Sequence, residues 1–326
     1  MDVDGVLGKR SVTVGRTGHG AVGVGMLEGK VAAVTDSGEG MGREIALWMA
    51  REGARVVVND SGGCGRGPSV AEEVAEEIRD SGGDALANSE SAASWEGAHR
   101  LVQASLDHFR RIDILVNNVN TTHDHQGCMI FETSEEDWEV VLRSQLKATF
   151  CCTRAVLPHM RAQRQGRLIH FTSAAGLIGM VGRTSHGAVK MAIAGFSRNV
   201  AIEMERYQVT SNCIAPIACT QPVTVVPPAA AKLQKASENI REIVPTDVAP
   251  LTVFLASESA RSLSGQIFGV RGSEIFLFSQ PRIGRSIHNS QGWTVEGLTG
   301  ILESAMRPHF TSMDTSDAYF SWDPMV

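Results

Sequence analysis

From Lys30 onward, short apolar runs alternate with amphipathic stretches of helix length: VAAVT is followed by REIALWMAREG, and RVVVND by VAEEVAEEIRDSG. Unbroken apolar runs suit strands covered on both faces, because a half-exposed strand would alternate polar and apolar side chains. A helix between successive strands sets the spacing of βαβ units, which requires parallel pairing and right-handed crossovers. The expected fold class is therefore α/β: a doubly wound parallel sheet (Rossmann fold) in a single domain with a C-terminal extension. Further strands are expected at residues 85–87, 112–118, 166–173, 208–216 and 265–270, with long helices over 134–161 and 187–207.

A chain of 326 residues accommodates one large domain of this kind with an extension at either end. Residues 1–26, rich in Gly, Val and Thr, read as a disordered leader, 27–280 as the domain, and 281–326 as an extension that either caps a pocket or contacts another subunit. After Val270 comes a second apolar run, EIFLFS, and then a polar tail with a short amphipathic helix, WTVEGLTGILESAM.

Composition removes several classes of function. The net charge of −6, with basic residues dispersed among acidic ones, offers no field for a nucleic-acid backbone. No apolar run is long enough to cross a bilayer and none has the form of a secretory signal, so no membrane partner and a cytoplasmic location are expected. The six cysteines, at 64, 128, 151, 152, 213 and 219, form no CxxC pair and no zinc-type spacing, and read as free thiols. His123 and His125 form a His-x-His pair with the Asp124 carboxylate between them, but no further ligand lies at readable spacing, so no metal is expected.

Residues 31–42, VAAVTDSGEGMG, run from strand through glycine turn to helix start. That order suits a phosphate cradle, because backbone N–H groups and a helix N-terminus must approach a pyrophosphate without intervening side chains. The turn contributes Asp36, Ser37, Gly38, Gly40, Met41 and Gly42 as candidate cofactor contacts. Asp60 closes the next strand, VVVND, where a carboxylate accepts hydrogen bonds from adenosine ribose hydroxyls and repels a 2′-phosphate. NAD is expected in preference to NADP.

On these residues the chain resembles the short-chain dehydrogenase/reductase family, whose glycine motif reads TGxxxGxG. Thr35, Gly40 and Gly42 match it, while Asp36 stands at the first glycine and brings a β-carbon and a charge to a tight turn. The family's NNAG motif appears as Asn117, Asn118, Val119 and Asn120, with Asn118 at the cofactor. The resemblance spans about residues 27–280. The runs VVVND, NSESAASWEG and VRGSEIFLFSQPR are most similar to bacterial members near the dehydrogenase domain of peroxisomal multifunctional enzyme, which acts on hydroxyacyl-CoA and hydroxysteroids. It implies that Glu90 and Ala92 lie near the adenine and Pro216 and Thr220 near the nicotinamide, although Ile217 replaces the glycine that usually follows Pro216.

The same resemblance implies a serine that polarises the substrate oxygen, a tyrosine thirteen residues on that exchanges a proton, a lysine four residues later that holds the nicotinamide ribose, and a supporting asparagine. Ser173 is followed at that spacing by His186 in HGAVK, so imidazole replaces phenol, and Lys190 lies on the same helix face. Gln145 occupies the asparagine position. Imidazole titrates near pH 6.5 and is a competent acid or base, but it extends less far from the backbone than phenol. A plain polar residue at a vacated site is the alternative reading of His186. His170, inside a strand, reads as a satisfied core histidine.

Three functions remain open: an NAD(P)-dependent oxidoreductase acting on a hydroxyl or keto group of a largely apolar small molecule; a non-redox dehydratase, isomerase or cyclase using His186 as acid or base; and a catalytically silent subunit. The apolar, Pro-rich stretch 219–234 is a candidate substrate lid. The resemblance implies a homo-oligomer, tetramer or dimer, through the two long helices.

Overall fold

Eight strands hydrogen-bond into one sheet in the order β3-β2-β1-β4-β5-β6-β7-β8. They are β1 (Val31–Val34), β2 (Arg55–Asn59), β3 (Ala85–Asn88), β4 (Ile114–Asn117), β5 (Gly166–Phe171), β6 (Val209–Pro216), β7 (Ile267–Arg271) and β8 (Glu274–Leu277). The computed structural model describes residues 25–62, 69–119, 128–217 and 245–320. The candidate metal residues His123, Asp124 and His125, the lid stretch 219–234, Asn120 and Thr220 lie outside them.

The first seven strands are parallel, and every residue of β1, β4 and β5 is buried, as unbroken apolar runs require. Helices cover both faces. α1 (Gly40–Arg51) and α2 (Ser69–Asp80) pack on one side around Ile45, Met49, Val74 and Ile78. On the other, α3 (Trp95–Phe109) contributes Leu101 and Val102 to a core shared with Val57, Leu115 and Leu168. Strand order reverses between β1 and β4, which opens a crevice at the carboxyl ends of the strands.

Three features depart from the sequence expectations. The helix expected over 134–161 is three pieces in series: α4 (Glu135–Val141), a π turn (Leu142–Lys147) and α5 (Ala148–Gln163). The run EIFLFS supplies β8, which pairs antiparallel to β7 and ends the all-parallel pattern. The amphipathic stretch 293–306 is broken: a short helix covers only Val295–Leu298, and Gly300, at φ 81°, separates it from a π turn over Leu302–Met306.

Gly25 and Met26 are already tied to the domain. Met26 N donates to Glu52 Oε2 at 2.9 Å, and a β-carbon on Gly25 would fall 2.3 Å from the Glu52 carbonyl oxygen. Among the described residues no helix is long and apolar enough to cross a membrane.

Candidate active site

The glycine turn packs as a cradle must. Asp36 has φ 48° and Gly40 φ 56°, so the turn takes two left-handed residues. A β-carbon at Gly42 would lie 2.1 Å from the Asp36 carbonyl oxygen and 2.5 Å from Asn118 Nδ2, so only glycine fits there. Asn118 braces the turn across the crevice, its Nδ2 donating to the carbonyls of Asp36 at 2.9 Å and Thr35 at 3.3 Å. Glu39 makes no capping hydrogen bond to α1, whose first-turn amides therefore face the turn uncapped by that side chain.

Asp60 is buried at the end of β2. Its Oδ2 accepts from Gly38 N at 3.0 Å and its Oδ1 from Gly62 N at 2.8 Å. Each carboxylate oxygen retains a further lone pair, so these bonds orient the group without exhausting it. A β-carbon on Gly38 would sit 2.9 Å from Asp60 Oδ2 and 2.5 Å from Val70 Cγ2, which explains a glycine at a position without positive φ.

Two residues assigned to the cofactor from sequence are engaged elsewhere. Ser37 is fully buried; its Oγ donates to Val34 O at 2.7 Å and accepts from Asn59 N at 3.1 Å, and its own N–H goes to Asn59 O. It staples β1 to β2. The Glu90 carboxylate is forked by Arg100 at 2.7 Å to each oxygen, and that bond holds its carboxyl below the usual range. Its main-chain carbonyl accepts from Asn59 Nδ2 at 2.8 Å, which keeps the segment after β3 at the crevice. Ala92 is half-buried, and its carbonyl faces Cys152 Sγ at 3.8 Å. Met41 is half-buried on α1.

Ser173 follows β5 and caps α6 (Ala174–Leu177), its Oγ accepting from Ala175 N at 3.2 Å, which leaves the hydroxyl proton to donate. His186 lies in the first turn of α7 (Thr184–Met204). The two helices touch through glycines: a β-carbon on Gly176 would fall 2.8 Å from the Gly187 carbonyl oxygen, and one on Gly187 would fall 2.9 Å from that of Ala175. This contact packs α6, which follows Ser173, closely against α7, which carries His186.

Lys190 is 4% exposed one turn further on. Its Nζ donates to Val119 O at 3.1 Å and Phe171 O at 3.2 Å, at the carboxyl ends of β4 and β5. Thr172 Oγ1 donates to the Lys190 carbonyl at 2.6 Å. Pro216 ends β6, and Ile217 N continues the ladder to Val270 O at 2.8 Å. Gln145 is fully buried in the π turn, which packs against α7, and neither its Oε1 nor its Nε2 has a hydrogen-bond partner among the described residues. An orphaned buried amide is costly, and a π turn commonly marks a functional site.

The remaining candidates are structural. His170 is wholly buried, accepting from Asn117 Nδ2 at 3.0 Å through Nδ1 and meeting Ser211 Oγ at 3.1 Å through Nε2. Burial lowers its pKa to about 3 and keeps it neutral. Cys128, Cys151, Cys152 and Cys213 are free, and burial pushes the Cys152 thiol up to about 12, which rules it out as a nucleophile near neutral pH. Among the described residues no cluster of His, Cys, Asp and Glu could hold a metal ion.

Comparison with known proteins gives a consistent picture. The family model for short chain dehydrogenase matches residues 30–228. Hydroxyacyl-CoA dehydrogenase ChsB1 of Mycobacterium tuberculosis is 33% identical over 308 residues, covering 92% of this chain and 94% of that protein. Mouse peroxisomal multifunctional enzyme type 2 is 37% identical over 242 residues, 73% of this chain but only 31% of that longer protein. A short chain dehydrogenase from Mycobacterium avium superposes with TM-score 0.76 at 34% identity, covering 87% of this chain and 96% of the other. A 7α-hydroxysteroid dehydrogenase, solved with NADH and 7-oxo glycochenodeoxycholic acid, gives TM-score 0.67 at 30% identity over 76% of this chain and 94% of its own.

Proposed function

The chain belongs to the short chain dehydrogenase family, and from that premise we propose that it is an NAD-dependent oxidoreductase interconverting a hydroxyl and a ketone on a largely apolar small molecule, a 3-hydroxyacyl thioester being the first class to try. The observation that supports the reading is the burial of Lys190 Nζ between the carbonyls of Val119 and Phe171, at the carboxyl ends of β4 and β5.

The residues present fit a dinucleotide: Gly42 is a position that a β-carbon would block, α1 lacks a capping side-chain bond, and Asp60 stands buried at the end of β2. Asp60 and the segment of Glu90 and Ala92 would hold the adenosine, the amides of Gly40, Met41 and Gly42 the pyrophosphate, and Lys190, Pro216 and Thr220 the nicotinamide riboside. Bound there, the nicotinamide would supply or accept a hydride. The buried carboxylate of Asp60 favours a ribose with both hydroxyls free over one carrying a 2′-phosphate. Ser173 donates its hydroxyl proton to the substrate oxygen, and His186 gives or takes the proton at that same atom. Lys190 is the cation of the array, and Gln145 orders water behind it. Exposed Phe150, Met191 and Ile202, on α5 and α7, support assembly as a homo-oligomer.

A second reading, proton chemistry without redox, is favoured by one observation: the carboxylate-bearing Asp36 occupies the left-handed position of the phosphate turn. Calorimetric titration with NADH and NADPH separates the two. Micromolar NADH binding, weaker NADPH binding and NADH-dependent reduction of a 3-oxoacyl thioester support the oxidoreductase. Binding of neither dinucleotide overturns it in favour of non-redox chemistry or a silent subunit.

A further inference from the structure

We infer that the C-terminal turn at Thr315–Phe320 walls the substrate side of the Ser173–His186 site and sets the length of apolar substrate accepted; the specificity part rests on the function proposed above.

The short helix Ser316–Tyr319 is anchored at both ends. At its start, Ser316 N donates to Gly179 O at 2.7 Å, and Ser316 is 3% exposed. Gly179 belongs to the loop linking α6 to α7, six residues after Ser173 and seven before His186. At its end, the Phe320 ring packs on Phe276 of β8, with centroids 5.4 Å apart.

Sheet pairing says which face is covered. Phe276 pairs with Gly269, which lies two residues from Ile267 and so on the same face, and Ile267 packs with Val189 and Ile193 of α7. The tail therefore spans from the loop between the catalytic helices to the α7 face of the β7–β8 hairpin. The contact at its far end is aromatic, Phe276 against Phe320, which suits an acyl chain or fused rings rather than a charged group.

Ser316→Pro tests the tie without dismantling the turn. Proline is well accepted at the first helical position and deletes the N–H that reaches Gly179 together with the buried Ser316 hydroxyl, and Thr315, at φ −79° and ψ 160°, already has the conformation required before proline. Phe320→Ala loosens the other anchor independently. Hydrogen exchange in the full-length protein should speed up about tenfold across residues 178–183 in each variant while β1 and β4 stay protected. The long-to-short ratio of kcat/KM over a series of 3-oxoacyl thioesters should shift by a similar factor, with kcat for the shortest unchanged.

Exchange in 178–183 equal to wild type in both variants overturns the wall, and an unchanged ratio despite faster exchange overturns its role in specificity. If wild type reduces no thioester, the proposed function fails by itself. The wall is then judged by binding of anilinonaphthalenesulfonate: tighter binding in both variants supports it, and no change overturns it.

Discussion

Asn118 donates its side-chain amide to the main-chain carbonyl of Asp36 at 2.9 Å, pinning a non-glycine residue at φ 48° against the start of α1. The bond stabilises a conformation that costs a β-carbon-bearing residue of order 1 kcal/mol. Asp36→Gly removes this strain but adds about 0.5–1 kcal/mol of chain entropy to the unfolded state, so the two nearly cancel. We expect a melting temperature close to wild type together with about tenfold tighter NADH binding by calorimetry, from loss of a charge beside the pyrophosphate. Equal affinities would clear the carboxylate of any effect.

His186 is expected to carry the proton. His186→Ala should lower turnover by about 10²–10⁴-fold, the usual worth of a positioned acid–base group. His186→Tyr, which restores the family's residue, should retain or raise it. Steady-state rates that ignore the alanine change would remove imidazole from the chemistry.

Gln145 sets stability against activity. Its amide is buried without a partner among the described residues, a burden of about 1–3 kcal/mol. Gln145→Met keeps the volume and removes the amide, so chemical denaturation should show stability raised by about 1–2 kcal/mol while kcat falls. Gained stability with undiminished kcat would reduce Gln145 to a packing residue.

His170 makes the fold acid-sensitive. Its folded pKa of about 3 lies below the unfolded value near 6.5, so between those limits the unfolded chain binds the additional proton. Stability is then fully present above the unfolded value and is lost as pH falls toward 3, by up to about 1.4 kcal/mol per pH unit. Urea titrations at descending pH should show that slope, and His170→Gln should flatten it. The same slope in both proteins would place the acid sensitivity elsewhere.

The parallel strands were legible because burial on both faces leaves apolar runs such as VVVND, and the phosphate turn because Gly42 has room for no other residue. β8 was not, since its burial is inverted: Glu274 is buried while Ile275 and Leu277 are exposed, so no alternation marks a strand. The π turn around Gln145 carries neither proline nor glycine to announce it. Ser37 is expected at the cofactor from the glycine turn and Glu90 from the family resemblance. Their side chains bond Asn59, 22 residues away, and Arg100, ten away, separations that no helical or strand period links.

The antiparallel hairpin β7–β8 has a further consequence, for solubility. Without β8, the rim of β7 would present a free row of amide and carbonyl groups on which another chain could add a strand. β8 occupies that row, is only four residues long, and turns the charged Glu274 inward against Arg271, 3.9 Å away. A strand this short with a carboxylate on its packed face is a poor template for sheet growth, so the hairpin shields this margin of the protein from edge-to-edge aggregation.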